Sequence, residues 1–147
     1  MSNLGVELKR AATPSIEWRN HYSVGNDQLD EHHKVILSIV NELFAMLEDD
    51  ADPSAIENVL GRLADYAKWH FRREEELMEQ CQFPGLAGHK KAHARFVEDL
   101  DAFRFQNLTP KGLSAGDLLR YLKLWWLDHI CKVDRQYMSC VGEATLA

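Results

Sequence analysis

The sequence predicts an all-α protein, an antiparallel four-helix bundle with an N-terminal arm. Four stretches place apolar residues at spacings of three and four, and no segment alternates apolar and polar residues with period two. The stretches are separated by short turn-like segments. Amphipathic helices joined in this way bury their stripes together only as a bundle. At 147 residues, 46% of them hydrophobic, the chain has one-domain length and enough apolar side chains for a core. We expect a single domain over 1–147, with an arm over 1–20 and the bundle over 21–140.

Up to Asn20 there is no clear period; Thr13, Pro14 and Ser15 before Ile16 and Trp18 suggest an arm lying on the body. After Asp30 the first stripe runs through Ile36, Ile39, Val40, Leu43, Phe44 and Leu47, until Glu48, Asp49, Asp50 and Asp52 break it with charge. Asp52 before Pro53 reads as a side-chain cap followed by proline in the first turn. The second stripe, Ile56, Leu60, Leu63 and Ala67, extends to about Gln80 and is closed by Phe83-Pro84-Gly85. A third holds Phe96, Leu100 and Phe103 and ends before Asn107. Ser114 with Asp117 three residues on is a capping-box variant opening the fourth, whose stripe is Leu118, Leu122 and Trp125.

Charge narrows the function classes. Seventeen Lys+Arg against 23 Asp+Glu leave a net charge of -6 with no basic block, which argues against nucleic acid as a partner. No run approaches the roughly 20 apolar residues of a membrane-spanning helix, and the first ten residues lack the apolar stretch of a signal peptide. A cytoplasmic location is expected. Cys81, Cys131 and Cys140 are too few and too irregularly spaced for a disulfide framework or zinc knuckle, and are read as reduced thiols.

The seven histidines are more telling. His70 lies three past Ala67, and Glu74 four past His70; His89 and His93 precede Phe96 by seven and three; His129 is four past Trp125; His33 is three before Ile36. Every helix therefore sends an imidazole toward the shared core. A lone histidine on an apolar face is usually a hydrogen-bonded core residue. Here they occur on all four helices, and a carboxylate on an apolar stripe is costly unless paired or bound to metal. His70 with Glu74 and His89 with His93 also sit at i, i+4, close enough to share one ion. Asp134 does not follow from spacing. Five residues past His129 is about 500° of helix, about 140° off its face. Either the helix is locally widened as a π-bulge or Asp134 reaches in from the last turn; otherwise it is an exposed partner of Lys132 or Arg135.

Four segments, Asp30-Glu31-His32-His33-Lys34, His70-Phe71-Arg72-Arg73-Glu74-Glu75, His89-Lys90-Lys91-Ala92-His93 and His129-Ile130-Cys131-Lys132-Val133-Asp134, occur in this order. With them the sequence from about Trp18 to Tyr137 resembles the hemerythrins, in particular the single-domain bacterial ones. The resemblance implies two non-haem iron ions in the bundle. His89, His93 and His129 would hold one and His33 and His70 the other, with Glu74, Asp134 and a solvent-derived oxo or hydroxo group bridging them. The iron with two histidines would keep an open position for O2. Two residues depart from the family pattern. His32 stands where glutamine is common; at about 100° per residue it lies about 40° from the stripe's centre and His33 about 60°, so geometry does not choose between them. The motif selects His33, and His32 is taken as a neighbour or surface residue whose loss is nearly silent. Trp126 stands where leucine is usual, three residues before a ligand histidine, and bears on O2 affinity and on the lifetime of the oxygenated form.

Five neutral imidazoles and only two carboxylates leave such a core little negative charge to stabilise high-valent iron. The expected function is therefore reversible O2 binding for storage, delivery or sequestration, not catalysis. A di-iron peroxidase or oxidase acting on peroxide, O2 or NO is the alternative reading, and an O2-sensing module a third. Phe71, Trp125, Trp126 and Ile130 are the expected walls of the O2 pocket, excluding water and protons. Tyr137 is expected to pack over the site. O2 is the expected ligand, a delivery partner is unspecified, and a monomer is expected.

Overall fold

The computed structural model describes residues 15–145. Of the expected arm, residues 1–14 lie outside the described residues. The rest of it is fastened to the body. The Ile16 backbone N–H donates to Asn41 Oδ1 at 2.7 Å, and Asn41 Nδ2 donates back to the Ile16 carbonyl at 2.8 Å. Trp18 packs edge-on against Tyr22, in a short 3-10 turn (Asn20–Tyr22), with Lys34 Nζ over its indole.

Four helices follow: α1 (Asp27–Glu48), α2 (Pro53–Gln80), α3 (Leu86–Asn107) and α4 (Ala115–Asp128). No strand occurs among the described residues. α4 runs on through a π-helical turn (His129–Val133) and a 3-10 turn (Asp134–Tyr137) into the short α5 (Met138–Val141). Asn26 caps α1 by accepting from the Leu29 N–H at 3.0 Å, so the helix begins a turn before the apolar period declares itself. Asp52 accepts from Ser54 N–H ahead of Pro53, as its sequence predicts. Ser114 precedes α4 as expected but makes no side-chain capping bond.

The ends of α1 and α2 share one device. Asp50 and Gln82 take left-handed φ of 53° and 58°. Ala51 N–H returns to the Met46 carbonyl and Phe83 N–H to that of Met78, the six-to-one bond that closes a Schellman turn. The chain is thus reversed by Gln82, before the expected Phe83-Pro84-Gly85 stop. Asn107 Nδ2 ties the end of α3 to the Pro53 carbonyl. Asn26 Nδ2 ties the carbonyls of Gly142 and Ala144 to the start of α1.

The stripes meet in one core that includes Ile36, Val40, Leu43, Leu60, Leu63, Ala67, Phe96, Leu100, Leu118 and Leu122. Two positions differ from expectation. Phe103 is only half-buried, and on α4 it is Trp126, four past Leu122, that is fully enclosed while Trp125 keeps a solvent edge. The cysteines also differ: Cys81 and Cys140 form a disulfide with Cα atoms 5.7 Å apart, leaving Cys131 free. Fifty-nine residues of sequence hide a proximity that exists only because α5 packs beside the end of α2.

Candidate metal centre

Five imidazoles and two carboxylates from α1, α2, α3 and the π-to-3-10 segment that continues α4 converge in the core: His33, His70, Glu74, His89, His93, His129 and Asp134, all buried. Their donor atoms form two groups. Glu74, His89, His93, His129 and Asp134 make one, and His33, His70 and Glu74 the other, with every donor atom in a group within 4.8 Å of its fellows.

The carboxylates join the groups atom by atom. Glu74 Oε1 lies 3.1 Å from His89 Nε2 and 3.0 Å from His93 Nε2, while Oε2 lies 3.3 Å from His70 Nε2 and 3.6 Å from His33 Nε2. Asp134 Oδ1 lies 2.9 Å from His89 Nε2 and 2.8 Å from His129 Nε2, while Oδ2 is 3.1 Å from His33 Nε2. Each carboxylate thus turns one oxygen to a three-histidine side and the other to a two-histidine side.

Asp134 owes its place to the π turn. Its backbone N–H donates to the His129 carbonyl, an i→i+5 bond that sets the residue five along one turn above its partner. Of the alternatives left by spacing, local widening of the helix is the one found, and no pairing of Asp134 with Lys132 occurs; Lys132 pairs with Asp128 instead.

The chemistry of the donor set suits metal. His33 Nε2, His70 Nε2 and both Asp134 oxygens are buried in ion-pair contact but with no well-oriented hydrogen bond, a costly state for polar atoms. His93 Nε2 and His129 Nε2 face each other at 3.2 Å, nitrogen to nitrogen. Without metal, protons hold the cluster together. Burial opposes charge on His33 and His89, but Asp134 and Glu74 outweigh it and raise each to about 9. His93 is raised as well, against its burial, by Glu74 and Glu75, whereas burial lowers His70. Burial pushes the carboxyls up, yet His70 and His33 hold Glu74, and His129 and His33 hold Asp134, well below the usual range. A cation between the donors would replace those protons.

An outer layer orients the rings. His93 Nδ1 bonds Glu75 Oε2 at 2.7 Å. Tyr137, its phenol raised well above its ordinary pKa by burial and Glu74, donates its O–H to Glu74 Oε2 at 2.8 Å. Of the two readings left for His32, neighbour or surface residue, the structure has the neighbour: it is buried, and its Nδ1 lies 2.9 Å from His70 Nδ1. Glu75 and the hydrogen bond of Tyr137 were missed in the sequence; an acidic residue adjoining a ligand carboxylate was the available signal for Glu75.

The expected pocket walls surround these ligands. Phe71 stacks on His93 with centroids 3.8 Å apart, and Trp125 stacks on His129 at 4.3 Å. Trp126 lies near-parallel to Phe71 at 5.9 Å, and Ile130 is fully buried next to His129 in the chain.

Residues 24–141 match the family model described as the hemerythrin HHE cation binding domain. A bacteriohemerythrin from Stenotrophomonas maltophilia is 29% identical over 84% of this chain and 80% of its own length. A hemerythrin-like protein from Naegleria gruberi is 30% identical over 82% of this chain and 88% of its own. The crystal structure of a wild-type hemerythrin superposes with a TM-score of 0.80 at 26% identity, covering 88% of this chain and 99% of that one. On its four histidine-bearing segments, its bundle and these matches, the chain belongs to the hemerythrin family.

Proposed function

We propose that this chain binds O2 reversibly at two non-haem irons per molecule, for storage, delivery or sequestration. His89, His93 and His129 would hold one iron and His33 and His70 the other, with Glu74 and Asp134, and a solvent-derived oxo or hydroxo group, shared between them. The supporting observation is the division of each carboxylate between a three-histidine and a two-histidine side. When bound, a ferrous pair supplies the electrons that make O2 binding firm yet reversible.

The protein's own part is orientation and exclusion. All five histidines present Nε2, leaving Nδ1 outward, where Glu75 fixes the ring of His93 and His32 that of His70. Tyr137 keeps its proton and donates it in a hydrogen bond to Glu74 Oε2, drawing off part of the charge that carboxylate presents to the two-histidine side. Phe71, Trp125, Trp126 and Ile130 line the ligands with apolar surface and keep out the water and protons that would turn binding into irreversible oxidation.

The test is iron analysis followed by visible spectra of the iron-loaded protein in air and under vacuum. Two irons per chain and a charge-transfer band that appears in air and leaves under vacuum support the proposal. One iron per chain, or a band that never reverses, overturns it. We further take the protein to act as a cytoplasmic monomer. Sedimentation tests the monomer. Thiol trapping in freshly lysed cells tests the compartment, because a reducing cytosol holds Cys81 and Cys140 largely as thiols.

A further inference from the structure

A cleft of about 470 Å3 opens between α2 and α3 on the outer side of the Phe71–His93 stack. Its volume is within the range of small-molecule sites. Lys68 and Arg72 stand one turn apart on its α2 rim, and Lys90 lines it from α3. All three are exposed, and none has a carboxylate partner among the described residues. Arg62, Arg73, Arg95 and Arg104, by contrast, are each paired with a nearby Glu or Asp. On a chain of net charge -6, three unpaired cations round one cleft are a local reversal of sign. The single carboxylate there, Glu75, is 22% exposed and already bonded to His93. The floor is apolar: Ala94 and Val97 are open to it, with the buried Phe71 ring at its base.

An apolar floor within a cationic rim suits an amphiphilic anion. Inorganic phosphate alone would leave the floor uncovered, and an acidic protein surface would set charge against it. We propose that the cleft binds a planar aromatic monophosphate, its ring laid over Ala94 and Val97 and its phosphate held by Lys68, Arg72 and Lys90. Arginine offers phosphate a paired set of donors and lysine a mobile point charge. Occupancy would cover Glu75, the most solvent-accessible group bonded to a metal-facing histidine in the site. The binding itself uses none of the proposed iron ligands as a contact to phosphate.

Equilibrium dialysis of the iron-loaded protein at low salt tests this. The probes are flavin mononucleotide and adenosine monophosphate, each against its phosphate-free nucleoside or riboflavin counterpart, and inorganic phosphate alone. At least one monophosphate is expected to bind about tenfold or more tightly than its phosphate-free partner and than inorganic phosphate. Three exposed charge contacts of ordinary strength supply a factor of about that size. The double reversal K68E/K90E should remove that advantage while leaving iron content and helical circular dichroism unchanged, and K111E, in the loop after α3, should keep it. The proposal fails if neither monophosphate outperforms its counterpart, if phosphate alone binds as well, or if K68E/K90E binds like the parent. A protein that showed no reversible band in air would refute the O2 reading but leave this dialysis result to stand or fall by itself.

Discussion

His32 Nδ1 and His70 Nδ1 lie 2.9 Å apart between two buried rings, so one of them donates a proton and the other accepts. The assignment follows from the rest of the site. His70 Nε2 faces Glu74, and in the proposed iron site it would present its lone pair to metal, which puts the proton on Nδ1 and makes His32 the acceptor. Burial, then His70 and His33, lower His32 to about 4, which keeps it neutral and able to accept at pH 7. Its ring is held at 4.6 Å from Trp69.

His32→Ala should therefore not be silent, as the sequence alone suggested. Loss of an outer hydrogen-bond partner typically weakens metal binding about 10- to 100-fold. His32→Gln, which retains an acceptor, should recover most of it. Competition against a ferrous chelator measures both; equal affinities for His32→Ala and the parent would remove His32 from the site.

Glu74 is the residue shared by both donor groups. Glu74→Ala should abolish stable binding of two irons, and His70→Ala should do the same from the two-histidine side. In the metal-free protein Glu74→Ala also leaves raised imidazoles short of a counter-charge, which for buried ion clusters costs about 3–5 kcal/mol. Iron counts and chemical denaturation report the two effects separately. Two irons with an unchanged spectrum in either variant would contradict the ligand assignment.

Iron loading should depend steeply on pH. His33 and His89 titrate at about 9 in the metal-free fold, above their ordinary 6.5. The stability from these protonated imidazoles is complete below about 6.5 and is lost as pH rises through about 9. Metal competes for the same nitrogens, so at neutral pH binding must expel both protons. The apparent constant for loading both irons should rise by up to about a hundredfold per pH unit below about pH 9, about tenfold for each iron. Anaerobic titration in weak buffer, with the released acid counted, checks this; release of no protons would show the imidazoles already neutral.

Much of this centre was legible in the sequence because helical periodicity is blind to distance: it placed His33, His70, Glu74, His89, His93 and His129 on inward stripes without any knowledge of their neighbours. The remainder depends on deviations from the regular helix or on packing between elements. Asp134 needed a π turn that periodicity contradicts. Cys81 and Cys140 needed α5 to fold back. Periodicity does not choose between His32 and His33; the family motif selects His33, and the tertiary approach of His70 gives His32 its own part. Trp126 in place of Trp125 reflects a stripe of spacing four, Leu118, Leu122 and Trp126, where three and four had been alternated.

Trp126 is fully buried, its indole N–H has no partner, and its ring contacts those of Phe71, Phe96 and Trp125. Trp126→Leu removes packing and should cost roughly 2 kcal/mol, less than the about 3–5 of a truncation to alanine because part of the volume is kept. Trp126→Phe also removes the unpaired donor, whose desolvation costs about 1–3 kcal/mol, and should come out near neutral. The air-dependent band should decay faster in Trp126→Leu, where the wall beside Phe71 is thinned. A band as long-lived as the parent's would place the barrier to water elsewhere.

The π turn makes a prediction that separates accommodation from necessity. Between His129 and Asp134 the chain carries one residue more than an α-helical turn uses, and Lys132 within it is exposed and paired only with Asp128. Deleting Lys132 reduces the interval to four residues, which in a regular α-helix spans about 400° and returns Asp134 to within about 40° of His129's face. The segment should then close as α-helix and keep both irons. Inserting one alanine after Lys132 lengthens the interval to six residues, about 600°, and turns the carboxylate about 120° away from His129, so the iron count should fall below two. If the deletion loses iron as readily as the insertion, the i→i+5 bond from Asp134 to His129 is itself required to aim the carboxylate, and the widened turn is more than a way of absorbing an extra residue.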